Sequence, residues 1–330
     1  MSIEPYGWAS DLHPEDLTAA TAVFNAGWHD WNERERPLSV EAYVAYDRFS
    51  APPEVILRRL ARADDGTVVG LGQACWRDGE PGACLGRVFV APEARRRGVA
   101  TALTRVLIDD VRAAGRTGLT LETVEGDHLA PVMARHGFRP DMVIEQNWAD
   151  AATASDELLA RWVATGEAAE GYSLVRYDAP APDALADAFV AVRHVMNDAP
   201  RREGEPPFEF SVEELRAVEA TAVAAHQDWW AVAVRHDDSG ELVGLSEMFL
   251  PRLQPTMALQ GDTGVVPAHR GHGLGAWMKA VNHQRLRAER REVEVVQTWN
   301  ASSNAPMLRI NRELGFAPVQ RYRSWFLPLD

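Results

Sequence analysis

The sequence predicts an α/β protein made of two tandem copies of one domain, each with a mixed β-sheet flanked by helices. Two observations predict this class. Short segments of the first half recur in the second half in the same order, and each half alternates strand and helix patterns. The offset between matching positions is 174, 175 and 178 residues for the pairs Val69 and Val243, Pro92 and Pro267, and Gly137 and Gly315. So small a drift over such a span indicates duplication.

The first repeated element is a β-hairpin. Apolar segments flank an Asp-Asp-Gly turn in residues 61–76 and an Asp-Asp-Ser-Gly turn in residues 233–250. Aspartate and glycine adopt the backbone conformations that tight turns require. Both segments are therefore predicted to form antiparallel strand pairs.

The second repeated element is a strand, a turn and a helix, in residues 88–103 and 263–278. Each copy has an apolar strand, a proline and a basic turn with glycine before the helical pattern. Between the copies, residues 149–172 are rich in alanine and polar side chains, which is typical of a loop and a linking helix. We therefore predict two domains, residues 1–152 and 153–330.

Composition excludes several classes of protein. The net charge of −14 disfavours a nucleic-acid partner, because it repels phosphates. No apolar run approaches the 18 or so residues of a membrane helix, and the first residues lack the basic and apolar regions of a secretory signal. Two cysteines, Cys75 and Cys84, are too few for a disulfide scaffold and are not spaced as a metal pair. We expect a cytoplasmic protein without a membrane or metal partner, and the sequence does not indicate its oligomeric state.

The glycine turn predicts an anion site. A turn that delivers a strand into a helix presents the unpaired N–H groups of the first helical turn, and the helix dipole adds partial positive charge. Glycine lets an anion approach because it has no Cβ. We call these turns the first and the second cradle. Their patterns are Arg-x-x-Gly-x-Ala at Arg95, Gly98 and Ala100, and Arg-x-x-Gly-x-Gly at Arg270, Gly273 and Gly275.

These patterns, each preceded by Val-x-Pro, resemble the coenzyme A loop of the GNAT N-acetyltransferase superfamily. The tandem layout resembles that of mycothiol synthase and its relatives. The resemblance implies acetyl-CoA as cofactor and a sheet that splays beside the cofactor strand, where the pantetheine arm pairs like an added strand. It assigns the cofactor to Val265, Arg270, Gly271, His272, Gly273, Leu274, Gly275 and Asn304 in the second half, and to Val90, Arg95, Arg96, Arg97, Gly98, Val99 and Ala100 in the first.

The resemblance also indicates which catalytic groups to look for. Asn304 matches an asparagine that contacts the cofactor arm in the family, and its first-half equivalent is Gly126. The family's tyrosine acid is replaced by Asn311 in the second half and Met133 in the first. Asn311, Tyr322 or water is left to protonate the thiolate.

An acceptor amine with a pKa near 10.4 also needs a base, or a pocket that lowers its pKa. Asp262 and Glu247 are the candidates, on strands next to the cofactor strand's irregular region. Strand alternation puts Gln260 on the same face as Asp262, nearest to the position where many family members carry glutamate.

The sequence thus predicts an acyl-CoA-dependent N-acyltransferase that moves acetyl to a primary amine of a small molecule. Because Asn304 has no counterpart in the first half, we expect the second half to be catalytic and the first to support it. Two alternatives stay open. A CoA-binding regulatory or scaffold protein is favoured by the missing tyrosine, and a protein or peptide N-acetyltransferase would require an open cleft.

Overall fold

The structure is a computed structural model that describes residues 1–49, 54–79, 82–126, 129–205, 207 and 209–329. The chain forms two compact units. Unit 1 consists of Met1–Ile144, Arg201–Pro206 and Gln320–Asp330, and unit 2 consists of Glu145–Pro200 and Pro207–Val319. Each unit therefore takes residues from both halves of the sequence.

The elements of the first half follow one another in an α/β order. They are β1 (Ser2–Pro5), α1 (Pro14–Trp31), α2 (Val40–Arg48), β2 (Glu54–Arg62), β3 (Val68–Arg77), β4 (Ala83–Val90), α3 (Val99–Ala113), β5 (Gly118–Val124), α4 (Ala130–Arg135) and β6 (Arg139–Asp150). Both predicted hairpin strands are present as β2 and β3, and the first cradle joins β4 to α3. Strand β6 belongs to unit 1 as far as Ile144.

The second half repeats this order after a linking helix. Its elements are α5 (Asp156–Glu167), β7 (Tyr172–Asp178), α6 (Asp183–Arg193), α7 (Val212–Ala224), β8 (Gln227–His236), β9 (Leu242–Pro251), β10 (Met257–Val265), α8 (Leu274–Glu289), β11 (Val295–Ala301), α9 (Ala305–Glu313) and β12 (Ala317–Pro328). The linking helix α5, the hairpin of β8 and β9 and the second cradle between β10 and α8 confirm the predicted elements.

The strands of the two units follow matching orders. From the outer edge inward, the order is β1-β2-β3-β4-β5-β12 in unit 1 and β7-β8-β9-β10-β11-β6 in unit 2. Each unit has one parallel strand pair beside its cradle, β4 with β5 in unit 1 and β10 with β11 in unit 2. From that pair to the outer edge of each unit, neighbouring strands are antiparallel. Both sheets are mixed, and the predicted fold class of tandem α/β domains is confirmed.

The last strand of unit 1 comes from the end of the chain. From Tyr322 to Pro328, β12 pairs antiparallel with β5, with Tyr322 opposite Val124. Trp325 and Leu329 of this segment are buried in a core cluster with Leu119 of β5. Sequence periodicity did not reveal this placement, because alternation predicts a strand and not its neighbour.

Helices cover both faces of each sheet. In unit 1, residues of α1, α3 and the sheet form one core cluster. In unit 2, α6 and α7 cover one face, and α8 with α5 and α9 covers the other. None of the described helices is long and apolar enough to cross a membrane.

Candidate functional site

Both cradles present free backbone donors at a helix start. In unit 1 the first N–H of α3 with a backbone acceptor is that of Ala102, which donates to Gly98 O over 2.9 Å. In unit 2 the equivalent bond joins Trp277 N–H to Gly273 O over 3.0 Å. The preceding N–H groups of each first turn point out of the helix unpaired, as expected of an anion site. Gly98 and Gly273 adopt left-handed conformations, with φ of 85° and 75°.

The space in front of the two cradles differs. A Cβ added at Gly98 would meet no atom within 4 Å, whereas one at Gly273 would lie 3.6 Å from Cγ2 of Thr165 on α5. Both cradles thus have free space in front of the glycine, and the first is the more open. Arg96 has a φ of 58° where the second cradle has Gly271 with a φ of 87°. The first cradle therefore holds a strained arginine in the position of a glycine.

The motif arginines brace the strand instead of facing the cradle. Arg270 Nε donates to Val265 O over 2.8 Å, and its guanidinium pairs with Asp198 at 2.7 Å. Arg95 does the same in unit 1, donating to Val90 O over 3.2 Å and pairing with an acid at the end of α1, Asp30. Both arginines therefore tie the cradle to the preceding strand, and their contact with a phosphate stays a prediction.

Several other residues assigned to the cofactor lie where the loop motif puts them. Val99 and Leu274 are buried first-turn residues, whereas Arg97 and Ala100 are exposed at the first cradle. His272 is exposed at the second cradle, and its Nδ1 lies 3.2 Å from His269 O. A Cβ on Gly275 would touch only Ile310 and Val265, at 3.8 and 3.9 Å. Among the described residues no His, Cys, Asp or Glu cluster is arranged to hold a metal ion.

Each parallel strand pair opens beside its cradle. Strand β10 pairs with β11 from Met257 to Leu259, and β4 pairs with β5 from Ala83 to Gly86. Beyond these residues the two strands separate within the described part of each sheet. The free edge between this point and the cradle is the region that the family resemblance assigns to the pantetheine arm.

A β-bulge distinguishes the cofactor strand of unit 2. The register of β10 against β9 shifts between Gln260 and Thr263, whereas β4 runs against β3 without a shift. The bulge breaks the alternation expected for Gln260 and Asp262. Gln260 Nε2 donates to Glu247 O over 2.7 Å, and Asp262 instead turns toward Arg193, whose Nη2 lies 3.3 Å away.

Two base candidates of unit 2 share one arginine. Arg193 Nη1 donates to Glu247 Oε1 over 2.5 Å while its other amino group reaches Asp262. Trp229 Nε1 also donates to Glu247 Oε1, over 3.0 Å, and Glu247 Oε2 is buried without a hydrogen-bond partner. Burial raises the pKa of Glu247 to about 7, against the opposing effect of Arg193.

The asparagines of the late helix have local partners. Asn304 is the N-cap of α9, and its side chain accepts a hydrogen bond from Met307 N–H over 3.4 Å. Asparagine at the start of a helix with proline two residues on is a known capping pattern, so this role was readable from the sequence. Asn311 is buried and donates through Nδ2 to Asn300 Oδ1 over 2.8 Å. Met133, at the equivalent position of unit 1, is a core residue.

Tyr322 belongs to unit 1. It is 3% exposed, and its ring packs against Trp31 with 5.2 Å between centroids. Burial, together with the charges of Glu35 and Glu122, raises its pKa well above the ordinary range. Tyr322 is therefore a protonated hydroxyl at neutral pH, and it lies in the unit opposite to the one expected to be catalytic.

A cleft lies on the α1 side of unit 1. It has a volume of about 280 Å³ and is lined by Asn25, Ala26, Trp28, His29, Glu35, Arg36 and Pro37. Trp28 also contacts the rest of this face, because its ring stacks on Trp31 at 5.6 Å and lies 5.7 Å from the guanidinium carbon of Arg87. We call this face, with the cleft, the acceptor face of unit 1.

Sequence reasoning missed Arg87. It is the single charged residue of β4, whose sequence is ACLGRVFV, and a lone cation in an apolar strand is a readable signal. Arg87 Nη1 donates to Tyr46 Oη over 2.6 Å, and it stands opposite Gln73 of β3. Glu122 of β5 pairs with Arg202, a residue of the second half that belongs to unit 1, at 2.6 Å.

Comparisons with known proteins agree with this geometry. Residues 20–138 match the sequence model of the Acetyltransferase (GNAT) family. A tandem GNAT protein from the clavulanic acid biosynthesis pathway, in a structure without AcCoA, superposes with a TM-score of 0.77 and 26% identity, covering 100% of this chain and 99% of that one. Residues 20–138 carry a GNAT acetyltransferase domain, and the whole chain has the fold of a tandem GNAT protein.

Other solved structures show the same fold. The match to a GCN5-related N-acetyltransferase from Sphaerobacter thermophilus covers 99% of this chain and 95% of that one, with a TM-score of 0.69 and 16% identity. Comparison with curated proteins gave no significant match. The GNAT fold is that of enzymes that transfer acyl groups from acyl-CoA, and the predicted family and fold class are confirmed. The family match falls on the first half.

Proposed function

We propose that this GNAT protein transfers an acetyl group from acetyl-CoA to a primary amine of a small molecule, and that unit 1 performs the reaction. The observation that carries the proposal is the combination, in unit 1, of an unobstructed cradle, a strand pair that opens beside it and a cleft lined in part by Trp28 on the acceptor face. A cleft of about 280 Å³ is near the lower end of the volumes that hold small molecules, which favours such an acceptor over a peptide.

The residues of unit 1 supply distinct parts of the reaction. The free N–H groups of the α3 first turn bind the pyrophosphate, and the open edge of β4 aligns the pantetheine arm. The acceptor nitrogen forms a bond to the thioester carbonyl carbon, and the bond from that carbon to sulfur breaks. The nitrogen loses one proton and the leaving thiolate takes one up, so the step balances. Tyr322, a protonated hydroxyl of unit 1, is our candidate to relay that proton, giving one to the thiolate and recovering one from the nitrogen.

The sequence favoured the second half because of Asn304, and this reason is weakened by the capping bond of that side chain. In unit 2, Arg193 is bound to both Glu247 and Asp262 beside the bulge of β10. Catalysis in unit 2, with Glu247 or Asp262 as base, stays a prediction. It is favoured by the bulge of β10 and by the pKa of Glu247 near 7, a value suited to a base at neutral pH.

A second candidate function is CoA binding without transfer in unit 2. The second cradle presents the same backbone N–H groups as the first. Beside the bulge of β10, however, Arg193 and the carboxylates of Glu247 and Asp262 are paired with one another. Unit 2 would then hold CoA as a structural or regulatory ligand. This candidate and catalysis in unit 1 are compatible.

The proposal is tested with acetyl-CoA and a panel of primary amines, with thiol release as the rate measurement and mass spectrometry of the acylated amine. We expect at least one amine to accelerate thiol release and to gain the mass of one acetyl group. If CoA binds but no amine on a broad panel is acylated above the rate without enzyme, the protein is a binding protein and the proposal fails.

A further inference from the structure

Arg87 is a cation without a carboxylate partner on the acceptor face of unit 1. Among the described residues no Asp or Glu forms an ion pair with it, and its one hydrogen bond is the donation from Nη1 to Tyr46 Oη. An arginine carries five donor N–H groups in a planar fork, so most of its donors are available. Large unpaired cations away from bulk water are uncommon because desolvation disfavours the charge.

Two of the acids near Arg87 pair with other arginines. Asp47 binds Arg58 Nε at 2.8 Å and the N–H of Ala9 at 2.8 Å. Glu122 is paired with Arg202, so that it acts on Arg87 only at longer range. Glu54 acts on Arg87 through space but forms no ion pair with it. Arg87 therefore has acids at longer range and no direct carboxylate contact among the described residues.

The surroundings of Arg87 suit an anion that arrives with a ligand. Its guanidinium carbon lies 5.7 and 5.9 Å from the ring centroids of Trp28 and Trp31, which stack on each other and cover one side of the guanidinium. Arg87 also lines a cavity of about 20 Å³ together with Tyr46 and Gln73. Trp28, whose ring lies near Arg87, is also one of the residues that line the cleft of about 280 Å³.

Unit 2 shows the compensated version of this arrangement. In unit 1, Gln73 of β3 lies opposite Arg87 of β4. In unit 2, Glu247 of β9 lies opposite the bulge of β10 that contains Asp262. There the arginine comes from α6, as Arg193, and binds both carboxylates. In unit 1, Gln73 takes the position of Glu247 and Arg87 that of Asp262, so neither carboxylate has a counterpart there.

We infer that Arg87 binds a carboxylate of the acceptor, so that the preferred substrate is a small molecule with both a primary amine and a carboxylate. This inference rests on the proposed function of unit 1 and specifies its substrate class. A carboxylate can accept two parallel N–H bonds from the free edge of the guanidinium, which is among the strongest recognition pairs in proteins. The amine end of such a molecule is then oriented toward the opened strand pair of β4 and β5.

The test compares amino acids with their decarboxylated amines: ornithine with putrescine, lysine with cadaverine, and tyrosine with tyramine. Calorimetry measures binding to the full protein in the presence of CoA, and thiol release measures turnover with acetyl-CoA. We expect at least one carboxylated member to bind about tenfold or more tightly than its amine, and Arg87→Gln to remove that preference while the amine binds as before. Arg87→Lys should restore part of the preference, because it keeps a charge but not the fork.

Arg112→Gln, on the exposed side of α3, is the matched control and should keep the preference. Thermal melting checks that each variant folds. A preference that survives Arg87→Gln, or no preference for the carboxylate in any pair, overturns the inference. If the preference exists and depends on Arg87 but no acyl transfer occurs, the inference holds and the proposed catalysis fails. If acyl transfer occurs to amines with and without a carboxylate at equal rates and affinities, the proposed catalysis holds and the inference fails.

Discussion

Lys279 is a lysine in the interior of unit 2, 1% exposed and without an ion pair in the described part of the chain. Burial lowers its pKa from 10.5 to about 7. Between those two pH values the unfolded chain holds a proton that the folded protein does not, so the free energy of unfolding rises with pH. Below pH 7 both states are protonated, and the folded protein bears the cost of a buried charge.

We therefore expect Lys279→Met to stabilise the protein at pH 7 by a few kcal/mol, since each unit of pKa shift corresponds to about 1.4 kcal/mol. The gain should shrink as pH rises toward 10. Chemical denaturation of both proteins at several pH values provides the measurement. A variant that is less stable at pH 7, with the same pH dependence as the native protein, would mean that Lys279 has a partner that stabilises its charge.

Tyr322 offers a second prediction for a single residue. If its hydroxyl protonates the leaving thiolate in unit 1, Tyr322→Phe should lower kcat by about 10²-fold with little effect on CoA affinity. Tyr172→Phe, in unit 2, is the matched control and should leave turnover unchanged, since Tyr172 binds His269 beside the second cradle. Steady-state kinetics with one good acceptor gives the answer. Full activity in Tyr322→Phe would make water the proton source.

The sequence predicted these residues unevenly. The cradle glycines follow from a local pattern of strand, turn and helix, and both have the left-handed conformation that the pattern requires. Tyr322 was a candidate, but its unit depends on strand neighbours far apart in sequence. Gln260 and Asp262 were expected on one face, and the bulge of β10 separates them. Arg87 was missed although it is the single charged residue of an apolar strand, and the sequence could not show that no described acid forms an ion pair with it.

Among the elements, the hairpins, cradles and the linking helix α5 were predictable because each has its own signal of turns or periodicity. The placement of β12 in unit 1 was not. Alternating residues predict that 320–328 form a strand, but the choice of β5 as neighbour depends on the burial of Trp325 and Leu329 in the core of unit 1. A single boundary in the sequence therefore does not separate the two compact units, because residues from Gln320 onward belong to unit 1.

The contact of α5 with α8 gives a prediction at this scale. Gly166 is the buried point of α5 where it crosses α8, and a Cβ there would overlap the ring of Trp277. Alanine in place of glycine ordinarily stabilises a helix by about 0.5–1 kcal/mol. Here we expect Gly166→Ala to destabilise the protein by about 1–3 kcal/mol, the usual cost of overpacking.

The control is Ala164→Ser, an exposed position on the same helix, which should change stability by no more than about 0.5 kcal/mol. Thermal or denaturant unfolding of both variants measures the difference. A Gly166→Ala variant as stable as the native protein would show that the two helices can separate without loss.

For the whole molecule, the repeat produced two similar sheets with different sites. Unit 1 has the more open cradle, an arginine without an ion pair among the described residues and a cleft lined in part by Trp28, while unit 2 has a bulged cofactor strand and an arginine bound to two acids. The tandem fold followed from sequence repetition alone. The repetition does not indicate which copy is catalytic, because that depends on which side chains occupy equivalent positions in the two units.

The central claim, acyl transfer in unit 1, is tested most directly by steady-state kinetics of Gly98→Asp and Gly273→Asp with one good amine. An aspartate at either cradle opposes the pyrophosphate and strains a left-handed position. We predict that Gly98→Asp lowers kcat/KM for acetyl-CoA by about 30-fold or more, the scale of about 2 kcal/mol, and that Gly273→Asp retains most of the turnover. If Gly273→Asp abolishes turnover and Gly98→Asp spares it, catalysis belongs to unit 2 and the central claim is contradicted.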